Sequence, residues 1–573
     1  MTLAQRLAVA RGDFRAELIL RNAQLVNVLS GEIYPTDIVI DAGEVVALGE
    51  DYNAMRVIDL GGKYVCPGFI DAHVHIESSL CTPPEFSRTV LAHGVTSVVT
   101  DPHEIANVLG LEGIRFMLER AKHGPINMFV MASSCVPATD METSGARLEA
   151  EDLAPLLGDH WVLGLAEVMN YPGVINGDEG MLDKLELFQD RVLDGHSPAV
   201  RGKPLNAYVA AGIGSDHECT TVEEALEKLR LGLTIFIREG TTTHNLRPLL
   251  PLINAQNYSR ICFCTDDRVP ASLLDEGSID HMVRVAIANG IDPITAIRLG
   301  TINTADYFRL HHLGAIAPGR RADLMVFSDL QDLRAEQVYR GGELAAENGQ
   351  VIAPKPALRQ GAERTLDLRS TMNVASGAID LRIPATGSRI HVIGGTDEQV
   401  VTARYEEDVK IVDGQAVADP DRDILKMVVV ERHRASGNTG KAFIKGFGLK
   451  RGALAGSVAH DHHNLVIIGA DDASMQRAAQ AVIQIGGGLA VCDGEQVLAT
   501  LALPVAGLMS EAPIAEVRRD YDALTKAAQQ LGSTMRDPFM AMSFMALEVI
   551  PYLKLTDLGL VDVEQFKVVD LFV

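Results

Sequence analysis

Cysteine is scarce in this chain and irregularly placed: seven residues, an odd number, are scattered over 573 positions with no C-x-x-C pair. Such a set builds neither a disulfide frame nor a paired-thiolate metal knuckle, and it fits a reducing, cytoplasmic setting. Positive charge is also short, with 51 Lys and Arg against 76 Asp and Glu and a formal net charge of −25. Grip on a phosphate backbone needs clustered Lys and Arg, so no nucleic-acid partner is expected. No apolar run approaches the roughly 20 residues of a membrane span, and residues 1–15 carry no apolar leader core, so no membrane partner is expected either. Internal repeats and low-complexity tracts are missing. Nucleotide loops are missing too: no Gly-x-Gly-x-x-Gly turn follows the first central strand. The glycine turns at 446–448 and 486–488 lack the Gly-x-x-x-x-Gly-Lys spacing. What remains is 47% hydrophobic and 22% charged, the balance of a globular chain long enough for two to four domains.

Short β-rich runs at 18–20, 25–28, 37–40 and 45–48, punctuated by Ser30-Gly31 and Ala42-Gly43, are matched by one more at 322–327. The two blocks, 1–65 and 314–365, are expected to pair into a small β-sandwich with a larger domain inserted between them. Within that insert, 66–313, eight apolar runs end near His75, Asp101, Ser134, Glu167, His196, His217, Glu239 and Asp266. Helical periodicity at 111–121, 221–231 and 279–289 lies between several of them. Eight strand–helix units in this length predict an α/β fold, a TIM (β/α)8 barrel. The last stretch, 366–573, mixes strands at 427–430 and 465–469 with a helix at 473–484 and is read as a C-terminal α/β domain.

In such a barrel the strand ends share one rim, where catalytic groups sit. Seven of the eight runs end in His, Asp or Glu. Any one of these could be a helix cap or a solvated loop residue, but the succession of two histidines, Glu, two further histidines and Asp points to metal binding. The segment Pro67-Gly68-Phe69-Ile70-Asp71-Ala72-His73-Val74-His75-Ile76-Glu77 sets His73, His75 and Glu77 at the spacing that shares one strand face. His73, His75 and Asp266 would hold one divalent metal, and His196 and His217 a second. Glu167 would bridge the two with its two oxygens. Bound water would then become a nucleophile near neutral pH.

This frame resembles the amidohydrolase superfamily, whose members often place a carboxylated lysine where Glu167 stands. Long segments at 67–79, 100–108, 134–139, 142–146, 194–198, 215–218, 265–268, 314–319 and 459–464 narrow the likeness to the adenine deaminase family, over nearly the whole chain. The resemblance implies hydrolytic deamination of adenine to hypoxanthine and ammonia, with an activated hydroxide attacking C6. It also implies two divalent metal ions, manganese or iron rather than zinc, and a small-molecule 6-aminopurine and water as partners; a homodimer is the expected assembly. Asp266 would move the proton, while Glu218 or Glu239 would serve a ring nitrogen. Glu77, Asp101, His103 and Glu104 are candidates for binding substrate or an extra metal, or for orienting the ligands. The chain departs from the family in carrying Thr241-Thr242-Thr243-His244 after the strand-seven Arg-Glu-Gly, and His462 where Ser is usual, both bearing on substrate fit. A cyclic-amide hydrolase on the same barrel would call for lysine at Glu167, and a non-catalytic scaffold would be free to lose ligands. A zinc deaminase of the other architecture needs Pro-Cys-x-x-Cys, which is absent. The C-terminal domain is expected to lie over the barrel mouth, with His460 to His463 closing the site.

Overall fold

Eight short parallel strands follow one another in the order the chain presents them: β1 (Phe69–Val74), β2 (Val95–Thr100), β3 (Asn127–Ala132), β4 (Val162–Val168), β5 (Val192–Gly195), β6 (Ser215–Asp216), β7 (Thr234–Arg238) and β8 (Ile261–Cys264). The computed structural model describes residues 2–352, 368, 370–375, 377, 379–397 and 400–573. Strands β1 to β5 pair in one sheet and β6 to β8 in another. Gly214 N donates to Leu193 O at 2.9 Å and joins the two at one seam. At the other, His75 N to Asp266 O and Asp266 N to His73 O, both 3.0 Å, return β8 to β1 and close the barrel. Alternation sorts the side chains. Ile70, Ala72, Val99, Phe129, Ala166, Phe236 and Cys262 share one buried cluster, and Phe69, Val98, Val130, Leu165, Ile235 and Phe263 share another beneath the helices. Burial on both faces is why these strands read as continuous apolar runs. The helices Leu111–Lys122, Val222–Arg230 and Ile279–Ala288 cover the barrel where periodicity placed them, and the Thr221 side chain caps the second by accepting from Glu224 N.

Both flanks of the barrel feed one nine-stranded sheet. Strand Tyr64–Pro67, just before β1, pairs parallel with Ala16–Asn27 and antiparallel with Leu324–Phe327, which follows the barrel. The sheet rolls over a core of Leu20, Leu25, Ile38, Ile40, Val65 and Leu324 and buries Ile19, Val39 and Val46 on its other side. The runs at 18–20 and 25–28 form a single strand with a register shift between Leu20 and Ala23, where Asn22 takes a φ of 56°. Gly68 turns the chain from this sheet into the barrel. A Cβ there would lie 2.3 Å from Thr96 Oγ1, so only glycine fits. The boundary expected at 365/366 lies outside the described residues.

The C-terminal region builds an eight-stranded mixed sheet in the order Ala403–Asp408, Arg389–Gly394, Thr439–Lys445, Leu425–Val430, Leu465–Gly469, Ala453–Gly456, Gly488–Asp493, Gln496–Ala502. Helix Asp472–Gln484 packs Met475, Ala478 and Val482 against it. Its loops reach across to the barrel mouth. Thr139 Oγ1 donates to Glu548 Oε1 (2.6 Å), Thr143 N to Asp557 Oδ1 (2.8 Å), Asn464 Nδ2 to Thr143 O (2.9 Å) and Thr82 N to Ser510 O (3.1 Å). Among the described residues, no helix is long and apolar enough to cross a membrane.

Candidate metal centre

Strand β4 ends by pushing Glu167 into the middle of four imidazoles. Its Oε1 lies 3.1 Å from His75 Nε2 and 3.5 Å from His73 Nε2; its Oε2 lies 2.6 Å from His196 Nδ1 and 3.1 Å from His217 Nε2. Asp266, past the end of β8, brings Oδ1 to 3.0 Å from His75 Nε2 and 3.6 Å from His73 Nε2. It does so from a left-handed backbone with φ of 59°, a conformation non-glycine residues keep mainly where the surroundings enforce it. The six residues named from sequence therefore meet within one buried cluster.

The donor chemistry of this cluster fits cations. His75 Nδ1 lies 3.0 Å from the Asp101 carbonyl, which can only accept, so Nδ1 carries the proton and Nε2 offers a lone pair. That lone pair faces two carboxylate oxygens, an arrangement that requires a proton or a metal between them. With protons alone, burial works against charge on His73, yet Asp266 and Glu167 lift it to about 10. Burial likewise pushes Glu167 upward, but His217 and His196 outweigh it and hold the carboxyl well below its ordinary range. Among the described residues, groups that could each surround an ion here include His73, His75 and Asp266; His73, Glu167 and His217; His196, His217 and Glu218; and His75, Asp101, His103 and Glu167.

Structural carboxylates anchor the strand ends that carry the clustered histidines. Asp71 accepts from Thr265 N (3.1 Å) and Thr265 Oγ1 (2.5 Å), tying β1 to β8, and burial pushes its carboxyl to about 6. Asp194 accepts from Ser215 Oγ and Tyr307 OH, both at 2.8 Å. Asp216 accepts from Ser197 N (2.8 Å) and Ser197 Oγ (2.7 Å), beside His196, and from Lys228 Nζ (2.9 Å). Lys228 also donates to Ser197 O (2.7 Å) and Glu224 Oε1 (2.8 Å). These acids stand one or two residues before His73, His196 and His217. Lys228 and Arg238 were missed from sequence; the one signal for Lys228 was its place four residues after Glu224 on the buried helix face.

Glu218 and Glu239 part company. Glu218 borders the cavity, with Oε1 3.5 Å from His217 Nε2 and 3.7 Å from His196 Nδ1. Arg238 Nη2 donates to its Oε2 at 3.1 Å, and Nη1 contacts Glu218 Oε1 and donates to Asp266 Oδ2 at 2.8 Å. Burial raises the Glu218 carboxyl, but Arg238, His196 and His217 together outweigh this and hold it below its ordinary range. Glu239 lies apart: its carboxylate turns back to its own loop, accepting from Leu246 N (3.0 Å) with His244 Nδ1 at 3.2 Å, and is not among the residues that line the cavity. The main-chain turn that follows β7 supplies those donors. Glu77 is likewise directed away, to Ile105 N at 3.2 Å, and burial pushes its carboxyl to about 7. Asp101 holds His103 (Oδ2 to Nδ1, 2.9 Å), and His103 and Glu104 border the cavity. Met169, Val400, Phe544, Leu547 and Ile550 give that cavity an apolar side, mostly from the C-terminal region.

The Amidohydrolase family model matches residues 64–345, and the Adenine deaminase C-terminal domain model matches residues 399–567. The chain is 49% identical over 570 residues to adenine deaminase of Desulfatibacillum aliphaticivorans, covering 99% of each chain. It is 47% identical to adenine deaminase 2 of Carboxydothermus hydrogenoformans, covering 98% of each, and 45% identical to adenine deaminase of Kosmotoga olearia, covering 100% of this chain and 99% of that one. At that level of identity along its full length, the chain belongs to the adenine deaminase family of amidohydrolases.

Proposed function

We propose that this protein deaminates adenine hydrolytically, yielding hypoxanthine and ammonia, with two divalent cations held at the barrel mouth. One observation carries the reading: the two oxygens of Glu167 are divided between two histidine pairs, His73 with His75 and His196 with His217. The names of its relatives supply the substrate. His73, His75 and Asp266 would hold one cation, His196 and His217 the other, and Glu167 both. When bound, such cations supply Lewis acidity and bring the pKa of water toward neutrality.

The chain's own residues do the rest. Met169, Phe544, Leu547 and Ile550 receive the flat ring and exclude water from it. Asp266, ionised against Arg238 and the histidines, accepts a proton from the attacking water and returns one to the departing amine. Glu218 serves a ring nitrogen. Held below its ordinary range by Arg238, His196 and His217, it takes the second proton of the attacking water and passes it to that nitrogen. One water proton thus leaves with ammonia and the other stays on the ring, while the guanidinium Nη1 contacts both carboxylates. The seven cysteines are free and buried, which fits work in a reducing cytoplasm. The test is manganese-reconstituted protein offered a panel of 6-aminopurines and cyclic amides, with ammonia release measured. Turnover of adenine is expected; a cyclic amide turned over while adenine is inert overturns the proposal.

A further inference from the structure

A second group of metal-competent side chains lies beside the centre, where the C-terminal sheet meets the barrel. His103 and Glu104 open the helix His103–Leu109 after β2, and Asp461 comes from the loop between strands Ala453–Gly456 and Leu465–Gly469. His103 gives its Nδ1 to Asp101, so Nε2 presents a lone pair. That lone pair faces Asp461 Oδ1 at 3.4 Å and Glu104 Oε1 at 3.6 Å, and all three ligand atoms lie within 4.8 Å of one another. Neighbouring ligands of one octahedral ion, each about 2.1 Å from it, stand about 3 Å apart, and opposite ones about 4.2 Å. The two separations from His103 Nε2 fall in that range, and the third is no more than 4.8 Å, within a side chain's adjustment of it.

Two further observations point to an unmet ligand. Asp461 Oδ2 and His460 Nε2 are buried with no hydrogen-bond partner among the described residues, although both side chains border the cavity. Leaving such groups bare carries the full desolvation penalty, larger when charged. The Glu104 carboxylate is meanwhile fixed from behind, one oxygen on His460 Nδ1 and the other on His463 Nε2. Asp101 behind His103 and two imidazoles behind Glu104 are the supporting contacts that orient metal ligands.

We infer that a third divalent cation binds among His103, Glu104 and Asp461, with His460 at its edge, joining the C-terminal domain to the barrel as one wall of the cavity. Mixed imidazole and carboxylate donors favour a transition metal over calcium or magnesium. The site shares no ligand with the six residues assigned to the binuclear centre, although His103 Nδ1 stands 3.6 Å from Glu167 Oε1. Its function is mechanical: His103 and Glu104 belong to the barrel, Asp461 and the flanking His460 to the domain that closes it.

The test is a crystal of the full chain grown with Mn2+, with anomalous difference maps collected above and below the manganese edge. A peak is expected within about 2.0–2.6 Å of His103 Nε2, a Glu104 oxygen and an Asp461 oxygen. In parallel, equilibrium dialysis against Mn2+ with elemental analysis should find one equivalent fewer in Glu104→Gln and in Asp461→Asn than in the parent. No peak at that position, or unchanged stoichiometry in a folded variant, overturns the inference and leaves His103 protonated instead. If both variants fail to fold, the map of the parent protein decides. A peak at Asp461 with none around Glu167 would sink the binuclear proposal and leave this site standing; the reverse pattern would do the opposite.

Discussion

Replacing Lys228 with Met tests whether the second histidine pair is held by a buried charge network. The Lys228 and Asp216 side chains are wholly buried, and the Glu224 side chain is 9% exposed. Met keeps the length and most of the volume, so little cavity results. What is lost is the ammonium that compensates two carboxylates, and breaking one side of a buried pair costs about 3–5 kcal/mol. Asp216 would still accept from Ser197 N, Ser197 Oγ and Glu218 N, which argues for the lower end of that range, about 3 kcal/mol. The chain has one tryptophan, Trp161, stacked on Phe129 at 5.4 Å beside β4, so its fluorescence follows unfolding of the barrel alone. With a urea slope of about 2–3 kcal/mol per M, the midpoint should fall by about 1 M or somewhat more. The pH dependence has a fixed sign. Burial raises the Asp216 carboxyl, but Lys228 and His217 outweigh it and hold the folded pKa well below the ordinary value. Stability from that depression is complete above the unfolded pKa of about 3.9 and is lost as pH falls toward the folded one. Without Lys228, burial acts unopposed by the ammonium and the folded pKa rises. The gap between parent and variant should therefore open as pH climbs through the carboxylate range and stay level around neutrality. A loss under about 1 kcal/mol at pH 7, or a gap that shrinks between pH 4 and pH 7, refutes the reasoning.

Glu167→Gln keeps the shape of the side chain proposed to bridge but removes its charge, and manganese content measured after gel filtration should drop from the two equivalents proposed at the centre; retention of both with full ammonia release contradicts the bridge. Asp266→Asn should keep the parent's Trp161 emission while turnover falls by about 10²–10⁴-fold, the usual worth of a positioned acid–base group; rates within a few-fold of the parent remove it from proton transfer. Phe544→Ala opens the apolar wall where Phe544 stacks on His460 at 4.7 Å, and loss of about 1–2 kcal/mol of ring burial should raise KM for adenine about 5- to 30-fold. An unchanged KM would mean the ring rests elsewhere.

The strand ends were legible because parallel barrel strands are buried on both faces, so a polar residue closing each apolar run stands out against it. Val162–Val168 shows how: five apolar positions and a glycine surround Glu167, and nothing within that strand competes with it for attention. The choice between Glu218 and Glu239 was not legible, because both close a strand and only the backbone decides. After β7 the chain turns so that Leu246 N and His244 meet the Glu239 carboxylate, whereas Glu218 is left facing His196, His217 and a guanidinium. Arg238 escaped notice for a related reason. It ends β7 one residue before Glu239, and its worth lies in joining Glu218 to Asp266, twenty and twenty-eight positions away. The groups around Asp461 are further still from any local signal: more than three hundred and fifty residues separate them from Glu104, and the contact exists only because the C-terminal sheet lies across the barrel mouth. Periodicity reports which face of an element is buried. It carries no information on which two buried polar faces will be pressed together, and at this junction His460 Nε2 and Asp461 Oδ2 are left buried without a hydrogen-bond partner among the described residues.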